Sequence, residues 1–284
     1  MRNRLFLPII VLFSICAVSA SATGQKLRVD EIIAKHLDSI ASLEKRQALR
    51  SLIAVGDVRV DYLTQKGHPA TGRIVVASDG KKIFVGMNLN ANDYPQEKLV
   101  FDGNKAGVAM VRSGTRSVLG NFVQSNTSLL SQGLLGGSLS TSWVLLNAGD
   151  AKAKITTAGT KDIDGRKTYA LSYAPKGGSD LEITMYFDQE TFRHVRTEYK
   201  RTSSASIGKT IDESARQSET RLVVTEDFSD FKETDGITLP GKYKITYSAL
   251  GANTTEVTWT SNISEFAVNQ KIDPGSFQIG DTRP

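Results

Sequence analysis

The chain has 284 residues, 39% hydrophobic and 23% charged, a balance typical of globular proteins that excludes collagen-like and low-complexity classes. Its net charge of +5 is small and evenly spread, which argues against a nucleic-acid partner. The single cysteine excludes a disulfide framework and a cysteine-based metal site, and the three histidines, His36, His68 and His194, lack metal-ligand spacing.

The first predicted element is an export signal over residues 1–22. Arg2 and Arg4 give a basic start, Leu5 to Val18 is apolar except for Pro8 and Ser14, and Ala20-Ser21-Ala22 supplies the small residues of a cleavage site. The apolar run is shorter than the roughly 20 residues that span a bilayer. The expected product starts near Thr23, has no integral membrane segment and is periplasmic.

Residues 23–284 read as a single domain. Val29, Ile32, Ile33, His36, Leu37, Ile40 and Leu43 recur at spacings of three and four, which predicts one amphipathic helix of about 20 residues. His36 lies at the edge of its apolar face.

From Leu52 the period changes to two. Val55–Leu63, Gly72–Ala77, Lys82–Met87, Lys98–Phe101 and Gly107–Val111 read as strands, with Asp79-Gly80 and Asp102-Gly103 as hairpin turns. Short strands joined by turns predict an antiparallel meander rather than parallel units.

A helical insert follows, over about 116–147. Leu129, Leu130, Leu134, Leu135, Leu139 and Trp143 give it apolar bulk, and Gly120, Gly133, Gly136 and Gly137 interrupt it. Helix-interior glycine costs about 1 kcal/mol, so such helices need an apolar surface to rest on. The insert is either a plug in the core or a movable lid over an apolar cavity.

After Asp150 seven more strands follow: Lys152–Thr157, Tyr169–Ala174, Glu182–Asp188, His194–Arg201, Arg221–Phe231, Lys242–Ser248 and Thr254–Ser264. Asp164-Gly165 and Asp235-Gly236 mark turns, and the polar stretch Ser203–Glu219 reads as an exposed excursion. The expected fold is mainly β (α+β): a single curved antiparallel sheet, an unclosed β-barrel covered by the N-terminal helix and the helical insert. Alternation places Met185 and Phe187, Leu222 and Val224, Tyr243, Ile245 and Tyr247, and Trp259 among the large residues of these strands. With Leu130, Leu134, Leu135 and Trp143 of the insert they are the candidate ligand-binding residues.

The order of elements resembles the periplasmic lipoprotein-carrier fold of the LolA/LolB type. Local matches are Leu99-Val100-Phe101-Asp102-Gly103, Asp235-Gly236-Ile237-Thr238-Leu239-Pro240 and Asp273-Pro274-Gly275-Ser276-Phe277-Gln278-Ile279. The resemblance implies a half-barrel with an apolar cavity for acyl chains and no catalytic residues. Those carriers place an arginine near the end of an early strand; Arg73–Asp79 here has none at its end.

Glu226, Asp227, Asp230 and Glu233 form a carboxylate cluster, read as a solvated hairpin end. No catalytic residue, metal ligand or cofactor is expected. The expected function is that of an exported, non-catalytic binding protein for an apolar or acyl-bearing ligand, a lipid or lipoprotein. The alternative is an envelope module of structural or regulatory type that binds a protein partner. An enzyme is the third reading, resting only on the carboxylates.

Overall fold

The computed structural model describes residues 27–64, 68–146, 153–203, 220–251 and 254–279. The export signal and most of the polar stretch Ser203–Glu219 lie outside the described residues. Among the described residues no helix is long and apolar enough to cross a membrane.

Twelve strands form one antiparallel sheet: β1 Ser51–Tyr62, β2 Ala70–Asp79, β3 Lys82–Leu89, β4 Gln96–Phe101, β5 Ala106–Val108, β6 Lys154–Ile163, β7 Arg166–Ala174, β8 Glu182–Asp188, β9 His194–Ser203, β10 Thr220–Thr234, β11 Ile237–Leu250 and β12 Thr255–Val268. Their spatial order is β5-β4-β3-β2-β1-β12-β11-β10-β9-β8-β7-β6. Two meanders, five strands and seven, are therefore sewn together by one long-range pairing. β1 runs against β12 from Leu52↔Val268 to Tyr62↔Val257. The ends of the series, β5 and β6, are not paired to each other, so the sheet stays open. All twelve strands overlap the stretches where alternation placed them, and four of the hairpins turn at Asp79-Gly80, Asp102-Gly103, Asp164-Gly165 and Asp235-Gly236. At Asp164-Gly165 and Asp235-Gly236 both residues have positive φ, the geometry that joins twisted strands with two residues.

The N-terminal helix is a correction. Instead of one helix of about 20 residues there are two, α1 Val29–Ile40 and α2 Leu43–Ala48. The chain is extended at Ala41, and the Ser42 hydroxyl accepts the Lys45 N–H to start α2. That cap competes with continuation of α1. In consequence Leu43 leaves the apolar stripe and is 62% exposed.

The insert leaves one edge of the sheet after β5 and returns at the other as β6. Connecting opposite edges of an open sheet takes it across the face between them. It comprises α3 Val118–Ser125, α4 Ser128–Ser131 and a 3-10 turn at Gly137–Leu139. Leu119, Phe122, Val123, Leu129, Leu130, Leu134, Leu135, Leu139 and Trp143 are buried in the same cluster as the inward residues of the strands. Gly133 is a position that only glycine fits: its φ is +68°, and a Cβ there would lie 1.7 Å from the Ser142 carbonyl oxygen. The insert thus folds back tightly on itself, with the Val144 N–H donating to the Gly133 carbonyl at 2.9 Å.

Candidate functional site

The covered face of the sheet is the candidate site. Met185, Phe187, Leu222, Val224, Tyr243, Ile245 and Trp259 from the strands are buried there together with Leu130, Leu134, Leu135 and Trp143 from the insert. Tyr247 is only partly buried, at the margin of the cluster. Sheet and insert therefore meet through the residues expected to touch a ligand.

Three buried polar groups tie this apolar face together. The first centres on Glu226, which is 1% exposed. It sits in mid-strand with the parity of Val224 and Phe228, whereas the turn of this hairpin lies at Asp235-Gly236. The solvated hairpin end expected for Glu226 is thus corrected; its neighbour Asp227 points to the other face and pairs with Arg196 at 2.5 Å. The Glu226 carboxylate accepts the Tyr199 hydroxyl at 2.6 Å, the Tyr243 hydroxyl, and the N–H of Gly136 in the insert at 2.8 Å. Burial raises its pKa, opposed by these three donors. Gly136 has a φ of +80°, which turns its N–H toward the carboxylate.

The second group is Glu97 of β4, also buried. It accepts hydroxyls from Tyr94 at 2.5 Å and from Ser117, the residue that caps α3. The Trp259 indole N–H donates to the Tyr94 hydroxyl at 3.0 Å. The other carboxylate oxygen of Glu97, Oε1, has no partner among the described residues, and burial raises the pKa of this carboxyl as well.

The third is a pair of buried histidines, His36 and His194, with ring centroids 6.1 Å apart. The Trp143 indole N–H donates to His36 Nε2 at 3.0 Å, so Nδ1 holds the proton and donates to the Phe192 carbonyl at 3.1 Å. His36 is thus no helix-edge residue: on the buried side of α1, it is sealed against Phe187 of β8 and Trp143 of the insert. His194 stacks on Trp143 at 4.7 Å and tilts against Phe228 at 4.7 Å. Its Nε2 faces the Arg196 carbonyl and the Thr197 hydroxyl, which places the proton on Nε2; Nδ1 has no partner among the described residues. Burial lowers the pKa of His36 to about 4 and that of His194 well below 6.5. The crevice lined by both rings holds no space for a water molecule.

Chemically the face is an apolar surface with a few internal polar ties. The Thr141 N–H adds one more, to the Ser78 hydroxyl at 2.9 Å, and the Thr141 hydroxyl another, to the Gly80 carbonyl at 2.9 Å. Among the described residues no three His, Cys, Asp or Glu side chains are grouped to hold a metal ion.

Sequence reasoning locates the strands and the insert but misses Glu226 and Glu97 as buried ties. A signal exists for Glu226: Leu222, Val224, Glu226 and Phe228 share one period-two parity, so a carboxylate stands in an inward row.

No protein-family model matches the chain, and no curated protein matches it. Among solved structures the chain is similar to a LolA superfamily protein from Nitrosomonas europaea, with 11% identity, a TM-score of 0.47 and 89% of this chain and 99% of the other covered. It is also similar to a DUF1329 family protein from Desulfovibrio piger, with 12% identity, a TM-score of 0.48 and coverage of 89% and 98%. A third is an outer membrane lipoprotein-sorting protein domain from Vibrio parahaemolyticus, with 12% identity, a TM-score of 0.44 and coverage of 86% and 97%.

Proposed function

We propose that this chain is an exported, non-catalytic binding protein of the cell envelope that takes an apolar or acyl-bearing ligand on the inner face of its open sheet. In this reading the conformation described here is the closed form, in which the insert occupies the ligand's place. The observation that carries it is the make-up of the cover. A large apolar face lies under a segment of short helices and glycine turns, held by a few specific hydrogen bonds to Glu226, Ser78, Gly80 and His36. Helices of eight and four residues have little stability of their own. Lifting the insert would expose the sheet's apolar row. An acyl chain lying along that row would shield it from water again, at about 25 cal/mol per Å² of apolar surface.

The test is a reversible lock. Ser78→Cys with Thr141→Cys places one cysteine on the sheet and one on the insert, at two residues joined by the Thr141 N–H to Ser78 hydroxyl bond, in a chain whose own cysteine, Cys16, falls in the proposed export signal. Native mass spectrometry then follows uptake of laurate. The oxidised protein is expected to take up at least about tenfold less than the reduced protein. Equal uptake by both forms would contradict a displaceable cover.

A second reading has its own observation. β6 is ten residues long, stands at the end of the sheet and is exposed along most of its length. Such an edge invites an added strand from an envelope protein partner. A proline at Thr156 would abolish partner capture under this reading and leave laurate uptake unchanged under the first.

A further inference from the structure

One cleft combines an apolar wall with positive charge that has no partner among the described residues. It has a volume of about 580 Å³ and lies between α1, α2, the β2–β3 turn and the C-terminal end of the insert. That volume falls in the range of small-molecule sites. Leu37, Leu43, Leu49 and Leu146 supply the apolar wall. Arg50 and Lys81 line the same cleft, are exposed, and make no side-chain hydrogen bond or ion pair among the described residues. A third cation, Arg46, is already committed: it donates to the Ala41 carbonyl and pairs with Asp38 at 3.0 Å. Asp79 is the acidic group of the lining, so the two free cations outnumber it. Leu43 is exposed here because the helix breaks at Ser42, which points an aliphatic side chain at a charged rim.

The position matters as much as the composition. Thr141, whose N–H and hydroxyl pin the insert to Ser78 and Gly80, lines the cleft. The cleft is thus the outer end of the seam between insert and sheet. A molecule with its charge at Arg50 and Lys81 and its chain along the leucines would point that chain into the seam.

We propose that this cleft is the head-group site for a single-chain carboxylate amphiphile, a fatty acid, which engages Arg50 and Lys81 before its chain enters beneath the insert. The inference rests on the ligand-binding reading above and adds the charge and class of the ligand. Charge-assisted hydrogen bonds from a guanidinium and an ammonium would hold the carboxylate, and an exposed pair of this kind weakens as salt rises.

Calorimetry with laurate and with methyl laurate tests it, since the two share a chain and differ in charge. The wild-type chain is expected to bind laurate about tenfold more tightly than the ester. Arg50→Ala with Lys81→Ala should bring the two ligands to within about twofold by weakening laurate alone, and Arg50→Glu with Lys81→Glu should favour the ester. Both positions are exposed, and thermal unfolding of each variant checks that the fold persists. Absence of discrimination in the wild type, or its persistence in the alanine variant, would overturn the head-group site while leaving the ligand-binding reading standing if the ester binds. Failure of both ligands to bind would overturn both.

Discussion

Glu226 shows how one side chain can join two parts of a fold. Three donors converge on its carboxylate, two from strands and one from the insert; of these the Tyr199 hydroxyl also lies 3.4 Å from the Leu134 carbonyl oxygen. Glu226→Ala would take their shared acceptor away while they stay buried, and is expected to lower stability by about 3–5 kcal/mol in urea unfolding. Glu226→Gln keeps one acceptor oxygen and should cost about half as much. A change within about 0.5 kcal/mol for the alanine variant would mean that the ties carry no weight. The buried histidines make a prediction of the opposite kind, about pH. His36 is neutral in the folded chain, with its pKa lowered from 6.5 to about 4 by burial. Below pH 6.5 the unfolded chain takes up a proton that the folded chain refuses. Stability is therefore present above pH 6.5 and lost as pH falls toward 4, by about 3 kcal/mol for this residue; His194 acts in the same direction. Glu226 and Glu97, raised above 4.5, act oppositely, giving up stability as pH climbs from 4.5 through their folded values. His36→Gln, which retains a donor and an acceptor, should flatten the loss between pH 7 and 4.5. An unchanged slope would contradict the assignment.

At the scale of elements, the insert depends on backbone that bends where side chains cannot. Gly133→Ala drives a Cβ into the Ser142 carbonyl and is expected to lower stability by about 3–5 kcal/mol. Gly80→Ala, also at positive φ but with open space around it, should cost about 1 kcal/mol. Similar losses in thermal unfolding would show that the tight insert turn is not specially constrained. The same elements show what a sequence discloses. Asp79-Gly80, Asp102-Gly103, Asp164-Gly165 and Asp235-Gly236 fix their hairpins locally, so the strand series is legible without any tertiary knowledge. The helix break at Ala41–Ser42 escapes notice because apolar spacing continues through Leu43, while the competing Ser42 cap is a single weak local signal. The ties escape for a different reason. Period two says which residues share a face, but not what meets them from elsewhere. Trp143 finds His36 across 107 positions, and Gly136 finds Glu226 across 90. A carboxylate or imidazole in an inward row reads as a surface group until its distant partner is known.

The whole molecule is an open sheet whose two meanders are joined, among the described strands, by the pairing of β1 with β12, over 200 residues apart at Leu52↔Val268. Neither meander completes its pairing until β12 is in place, so folding is expected to be slow for the chain's size. The unpaired ends, β5 and β6, keep the sheet from closing, and the insert strung between them lies on the face that remains. The central claim is that this cover is displaceable rather than a permanent part of the core. Hydrogen exchange read by mass spectrometry, with and without laurate, addresses it most directly. If the claim holds, amides from Ser128 to Trp143 exchange much faster than those of Leu222–Val224 and Tyr243–Tyr247, and laurate alters exchange in the insert while the strands keep theirs. Uniformly slow exchange across insert and strands, unaltered by laurate, would contradict it and make the insert a fixed core element.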